Sequence, residues 1–128
     1  MQQEVNLCLS GHDELYIIDL NQVLYMQADD HYTNIYYASG TNFMIPYGLG
    51  RLEKVIRGSG CEAGYLLRLG RKYIVNTNRI FRISTIRDNL YLSDNHGNHV
   101  SLHISKPVLR SLIEYMSSRK FVNHNNTD

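Results

Sequence analysis

The first half of the chain alternates short apolar runs with polar or glycine punctuation. The runs fall at residues 5–9, 15–20, 23–28, 32–38 and 41–47 and are rich in Val, Ile, Leu and Tyr. Runs of this length and content predict strands. Between TNIYYA and TNFMIP, Ser39-Gly40 predicts a hairpin turn, since glycine accepts φ > 0 without steric cost. The period then changes over 48–57. Leu49, Leu52, Val55 and Ile56 recur at helical spacing, while Arg51, Lys54 and Arg57 fall largely on the other side, which predicts one short amphipathic helix.

The glycine-rich stretch 58–64 is expected to be a flexible loop, and YLLRLGRKYIVN after it reads as two strand pieces around Gly70. Further β runs occupy 79–87, 90–93 and 99–103, with Asp88-Asn89 and Asn95-His96-Gly97-Asn98 supplying turn chemistry. Ser105 is placed to cap a last helix with Pro107 in its first turn. Its apolar stripe is Val108, Leu109, Leu112, Ile113 and Met116. The polar tail 119–128 is expected to be disordered.

A length of 128 residues suits one compact domain, expected over 4–118. The many short β runs and only two prolines, Pro46 and Pro107, make the class mostly β. No apolar run approaches the roughly 20 residues a bilayer helix needs, and the start MQQEVNLCLSGHDE lacks the features of a signal peptide. A cytoplasmic location and no membrane contact are therefore expected. In that setting Cys8 and Cys61 are expected to be free thiols.

The formal net charge of +1 hides a separation along the sequence. Residues 1–50 hold no Lys or Arg and carry Glu4, Asp13, Glu14, Asp19, Asp29 and Asp30. Residues 51–110 hold eleven cations against four carboxylates, a net +7. Clustered cations suit a polyanion, because they release counterions condensed on a phosphate backbone. Two oppositely charged faces packing within the fold or between subunits would account for the same numbers.

Three constellations could carry chemistry. His96, His99 and His103 suggest a metal site, but four strand residues at roughly 3.3 Å each set His99 and His103 about 13 Å apart. Neither a metal nor any other cofactor is expected. Asp29-Asp30-His31 could form an acid/base pair, yet no nucleophile motif, oxyanion signature or cofactor fingerprint accompanies it, so the chain does not read as an enzyme. Arg68-Leu69-Gly70-Arg71-Lys72-Tyr73 says more, because its turn can project cations toward phosphates and base edges. Arg71 can fork onto guanine O6 and N7, whereas Lys72 is a point charge suited to phosphate. By strand alternation Tyr73 and Ile74 could instead serve the core.

Several blocks resemble the LytTR DNA-binding domain, usually found at the C-terminus of bacterial response regulators in two-component systems. VLYMQADDHYTNIYY resembles its strand–loop–strand element, LGRLEKVI its short helix, and LLRLGRKYIVNTNRIFRI its most distinctive run. HVSLHISKPVLRSLI resembles its end, and the likeness spans residues 5–116.

The resemblance implies about ten short strands in small sheets with little helix, and loops that enter successive major grooves. It further implies base or phosphate contacts from the loop holding His31 and Tyr32, from Arg71 and from His103. At His103 the family commonly has arginine, and histidine is shorter and lacks the planar fork. Tyr73 and Asn76 match positions with structural duty. Paired direct repeats are common family sites, which implies two copies on DNA, with weak contact between them or none. A phosphoacceptor receiver domain would need roughly another 120 residues, so none is expected in this chain.

The sequence therefore reads as a sequence-specific double-stranded DNA-binding transcriptional regulator, or the DNA-binding part of one. Its base-edge candidates are Arg71, Lys72, His31, Tyr32 and His103, and its phosphate candidates are Arg51, Arg68, Lys106 and Arg110. Two other readings stay open: a protein-interaction module of a signalling system, and a single-strand or RNA binder that stacks bases on Tyr32, Tyr36 or Tyr73.

Overall fold

The computed structural model describes residues 6–58 and 64–118. Most of the glycine-rich stretch with Cys61, and the tail 119–128, lie outside the described residues. Strands β1 (Asn6–Ser10) and β2 (Leu15–Asp19) pair as an antiparallel hairpin. Strands β3 (Val23–Asp29), β4 (Tyr32–Tyr37), β5 (Asn42–Ile45), β6 (Leu66–Leu69) and β7 (Tyr73–Asn76) form an antiparallel sheet in the order β5-β4-β3-β7-β6. Strands β8 (Ile80–Ser84), β9 (Asn89–Ser93) and β10 (His99–His103) make a third sheet, in the order β10-β9-β8. Helix α1 (Leu49–Gly58) follows β5, and helix α2 (Lys106–Ser117) closes the described chain. The fold is mostly β, as the sequence predicts.

The five-stranded sheet lies between two apolar clusters. On one face Met26, Ile35, Ile45 and Ile74 pack with Leu7, Leu9 and Ile18 of the β1–β2 hairpin and with Leu49, Leu52 and Ile56 of α1. On the other, Tyr25, Leu69, Tyr73 and Val75 pack with Leu90, Leu92 and Leu102 of the third sheet and with Leu109 and Leu112 of α2. Strand β3 is central and covered on both sides, so Val23 to Met26 are all buried and its apolar residues run without alternation. Period-two alternation in β7 sends Ile74 to the first cluster, and Tyr73 and Val75 to the second.

Polar side chains replace strand pairing at two corners that fall at breaks between the apolar runs. Asp19 accepts from the Asn21 backbone N–H at 3.1 Å and starts a 3₁₀ turn at Leu20–Gln22, so Leu20, which the pattern placed at the end of a strand, lies in the turn. Asn76 does the same at Thr77–Arg79, accepting from Asn78 N–H at 3.0 Å while its Nδ2 donates to Val23 O at 2.9 Å. This structural duty for Asn76 agrees with its expected role. Arg79 Nη2 then donates to Asn21 O at 3.0 Å and ties the two corners together.

Three sequence expectations need correction. The run 79–87 does not remain strand, because Ser84 Oγ accepts from the Arg87 N–H at 3.2 Å and Asp88 turns the chain at φ +55°. Ile113 leaves the apolar stripe of α2 and is 37% exposed, since the buried contacts are made by Leu109 and Leu112. Ser105 occupies the N-cap position, but its side chain makes no capping hydrogen bond. The Ser39-Gly40 turn forms as predicted, with Gly40 at φ +96° and the Tyr37 N–H bonded to Thr41 O at 2.8 Å.

Candidate nucleic-acid interface

Strand register brings two hairpin tips to one end of the five-stranded sheet. Strand β3 runs antiparallel to β4 with Asp29 opposite Tyr32, so Asp30 and His31 form a two-residue tip, with Asp30 left-handed at φ +56°. Strand β6 runs antiparallel to β7 with Leu69 opposite Tyr73, so Gly70, Arg71 and Lys72 form a three-residue tip. Gly70 opens that tip at φ +64°, a conformation glycine adopts without strain. Strands β3 and β7 are themselves antiparallel, Gln27 opposite Tyr73, and the Ala28 N–H donates to Lys72 O at 2.8 Å. The C-terminal end of β3 and the start of β7 thus share one edge, and the two tips are neighbours there.

Both helices start beside this edge. Thr33 Oγ1 donates to Tyr47 O at 2.7 Å, which fixes the approach to α1, and the Arg51 guanidinium lies 4.3 Å from the centroid of the Tyr47 ring. Tyr47 is held in turn by its hydroxyl, which donates to Ser10 O at 2.8 Å. Arg68 Nη1 reaches Glu53 of α1 at 3.3 Å. On the opposite face of the sheet, a Cβ built on Gly70 would lie 3.9 Å from Val108 Cγ2 of α2. The Gly70–Lys72 tip is therefore flanked by the beginnings of α1 and α2.

The expected contact residues differ in how available they are. Arg71 and Lys72 are exposed at their tip, and the Lys72 ammonium sits 5.8 Å from the Tyr73 ring centroid. The His31 side chain is 91% exposed, with Nε2 3.7 Å from Asp30 Oδ1. Tyr32 is 47% exposed and begins β4. His103 is exposed at the end of β10, opposite Asn89. Arg51 and Arg110 are exposed, whereas Lys106 Nζ is engaged by Asp88 Oδ1 at 2.8 Å. Arg68 is partly buried, and each of its three nitrogens has a protein acceptor: Gly70 O at 2.9 Å, Arg71 O at 3.2 Å and Glu53 Oε1 at 3.3 Å.

Among the described residues, the ion pairs made by Lys and Arg go to Glu53 and Asp88, which belong to the basic half of the chain. The acidic first fifty residues do not neutralise the cations through those pairs. They do place Asp29 and Asp30, both exposed, at the tip beside Arg71 and Lys72.

Two of the three tyrosines considered for base stacking are already engaged. Tyr73 is buried, and Tyr36 is stacked on Tyr25 with ring centroids 4.4 Å apart and planes 12° apart. Burial, reinforced by Tyr36 and Tyr73, pushes the Tyr25 phenol up to about 12. No cluster of three or more His, Cys, Asp or Glu able to hold a metal occurs among the described residues. His99 instead meets Phe81 edge-on, with centroids 5.9 Å apart. Cys8 is an exposed free thiol, and among the described residues no helix is long and apolar enough to cross a membrane.

Sequence reasoning missed Glu53 and Tyr47, which respectively anchor Arg68 and seat Arg51. Glu53 did carry a local signal, its i,i+4 spacing to Arg57, and that pair forms at 2.9 Å. Its second partner, Arg68, is fifteen residues away and depends on how α1 lies on the sheet.

The molecule belongs to the small β domains that present charged groups on hairpin tips and helix starts rather than along an exposed helix. The family model of the LytTr DNA-binding domain matches residues 13–117, and the chain belongs to that family, one of DNA-binding domains and not of enzymes. A solved structure described as the LytTr DNA-binding domain of a methyl-accepting/DNA response regulator from Bacillus cereus has a similar fold. It is 20% identical, with 91% of this chain and 99% of that chain covered at a TM-score of 0.59. No curated protein matches the chain.

Proposed function

We propose that this domain, spanning residues 4–118, binds double-stranded DNA sequence-specifically and acts in transcription regulation, as the DNA-reading part of a response-regulator-type protein. The observation that carries the proposal is the adjacency of the Asp30-His31 and Gly70–Lys72 tips at one sheet end, flanked by the first turns of α1 and α2. Tips of two and three residues are narrow enough to enter a major groove, which is about 12 Å wide.

In this reading Arg71 forks onto a guanine edge, and His31, Tyr32 and His103 meet neighbouring bases. Lys72, named with the base-edge candidates, is a point charge better suited to phosphate and joins Arg51, Lys106 and Arg110 in facing phosphates on either side, with Lys106 exchanging its Asp88 contact for one. The operator is a pair of direct repeats occupied by two copies, in weak contact at most. The domain acts in the cytoplasm and needs no cofactor.

Selection of bound sequences from a random duplex pool tests this directly. Recovery of one motif, repeated at about one helical turn, is the expected result. Unenriched sequences, or preferential retention of single strands or RNA in competition, would contradict it.

A further inference from the structure

Arg68 carries charge in the motif that recommends it for phosphate binding, yet its geometry points inward. Its Nε donates to Gly70 O and its Nη2 to Arg71 O, so one guanidinium spans two consecutive carbonyls of the Gly70–Lys72 tip. Its Nη1 is bound to Glu53, whose other oxygen holds Arg57 at 2.9 Å. Arg68 and Glu53 are both partly shielded, with side chains 23% and 26% exposed, so water competes for their mutual contact less than at an open surface, whereas the two bonds to the tip carbonyls are exposed.

We propose that Arg68 and Glu53 form a strut that fixes the Gly70–Lys72 tip against α1 and so aims Arg71, and that Arg68 does not itself contact phosphate. The inference rests on the reading of that tip as a base reader. The Ala28 N–H bond to Lys72 O, at 2.8 Å, holds the end of the three-residue tip on the β3 side, but leaves the carbonyls of Gly70 and Arg71 to be held from elsewhere. A planar guanidinium does this, because its fork meets both carbonyls while the third nitrogen reaches the helix. Lysine, a single point of positive charge on a flexible stem, cannot span the three acceptors together. Glu53 completes the device by orienting the guanidinium from the helix side, and Arg57 on its second oxygen keeps that carboxylate in place. Arg68 and Glu53 are thus positioning residues, acting on DNA only through Arg71.

Three variants, R68K, E53Q and R71A, test this against the duplex that the wild-type protein enriches from a random pool, with an unrelated duplex of equal length as reference. Each is measured across a salt series after its thermal unfolding has shown it folded. The strut predicts that R68K lowers the specific-to-unrelated affinity ratio by roughly tenfold, the order of one lost bidentate base contact, while the slope of log K against log salt stays at the wild-type value. It predicts that E53Q lowers the same ratio, although removing a negative charge should by electrostatics alone tighten binding to every duplex.

An unchanged ratio in both R68K and E53Q would overturn the strut. So would an equal tightening of E53Q on both duplexes, the purely electrostatic result. R71A separates the two proposals: if its ratio equals that of wild type, the tip is not a base reader, whatever the other variants do. If R71A loses the ratio and E53Q and R68K keep it, the tip reads DNA and the strut alone is wrong.

Discussion

Arg71 stands at the centre of a three-residue turn with its side chain in solvent and a tethered backbone behind it, which suits a residue that must meet a base edge. Replacing it with alanine should weaken the selected duplex by about 1–3 kcal/mol and relax preference at one base pair, read by repeating the selection. Equal loss on all sequences would make it a phosphate contact instead. The sequence singled out Arg71 as a base-edge reader from charge and turn chemistry and gave Arg68 to phosphate, but the same criteria could not show that Arg68 turns inward. Both are arginines in one short turn motif, Arg68-Leu69-Gly70-Arg71. Only the fold distinguishes them, because alternation along β6 sets Arg68 against the α1 side while Arg71 falls in the tip.

Buried polar and aromatic residues give two further tests at this scale. Asn76 is buried and satisfies Val23 O and Asn78 N–H, so Asn76→Ala should destabilise the domain by about 1–3 kcal/mol in urea denaturation, because it strands both partners. Tyr25 has its phenol raised from 10.0 to about 12, first by burial and then by Tyr36 and Tyr73. The folded state therefore favours the protonated ring. Its contribution is fully present below about pH 10 and is lost as pH rises toward 12. Tyr25→Phe keeps the stack and removes the titration, so its stability should decline less steeply over that window. An unchanged decline would place the alkaline sensitivity elsewhere.

Individual elements were legible where one face meets the core and the other meets solvent. Strand β10 spans His99–His103 as the pattern predicts, and the α1 periodicity shows directly because its polar side faces water. Elements shaped by side-chain to backbone bonds were harder to see. Leu20, the first residue of the 3₁₀ corner after Asp19, reads as strand because it is apolar, while the carboxylate that bends the chain there counts in the pattern only as a polar residue.

The Gly70–Lys72 tip makes a prediction at this scale. Gly70→Ala should cost about 1 kcal/mol, since φ +64° crowds an ordinary Cβ against its own backbone, whereas the nearest outside atom, Val108 Cγ2, lies at an ordinary contact distance of 3.9 Å. Gly70→Asn should retain most stability and duplex affinity, because asparagine tolerates that conformation. Thermal unfolding and duplex titration of the two variants check it. Equal losses in both would mean that space rather than backbone conformation governs the site.

For the whole molecule, the separation of charge along the sequence becomes a separation of roles. The first fifty residues supply the β1–β2 hairpin, three strands of the central sheet and the acidic tip; the next sixty supply the Gly70–Lys72 tip, the third sheet, most of α1 and the start of α2. The sequence alone left open whether the two halves neutralise each other. The ion pairs to Glu53 and Asp88 leave Arg51, Arg71, Lys72 and Arg110 exposed. With Arg68 committed to the strut, four phosphate contacts by Lys72, Arg51, Lys106 and Arg110 imply a slope of log K against log salt of about −3.6, at 0.9 per neutralised phosphate. A flat response would remove duplex electrostatics from the account.

The central claim is that one end of the five-stranded sheet, with the adjoining helix starts, is the face that meets DNA. Backbone amide shifts of the labelled domain, followed as the selected duplex is added, test it most directly. The account predicts changes concentrated at residues 30–32, 51, 70–72, 103, 106 and 110, with the outward face of the β1–β2 hairpin at Cys8, Leu15 and Ile17 unmoved. Changes centred on that hairpin, or an unmoved Gly70–Lys72 tip at saturating duplex, would contradict it.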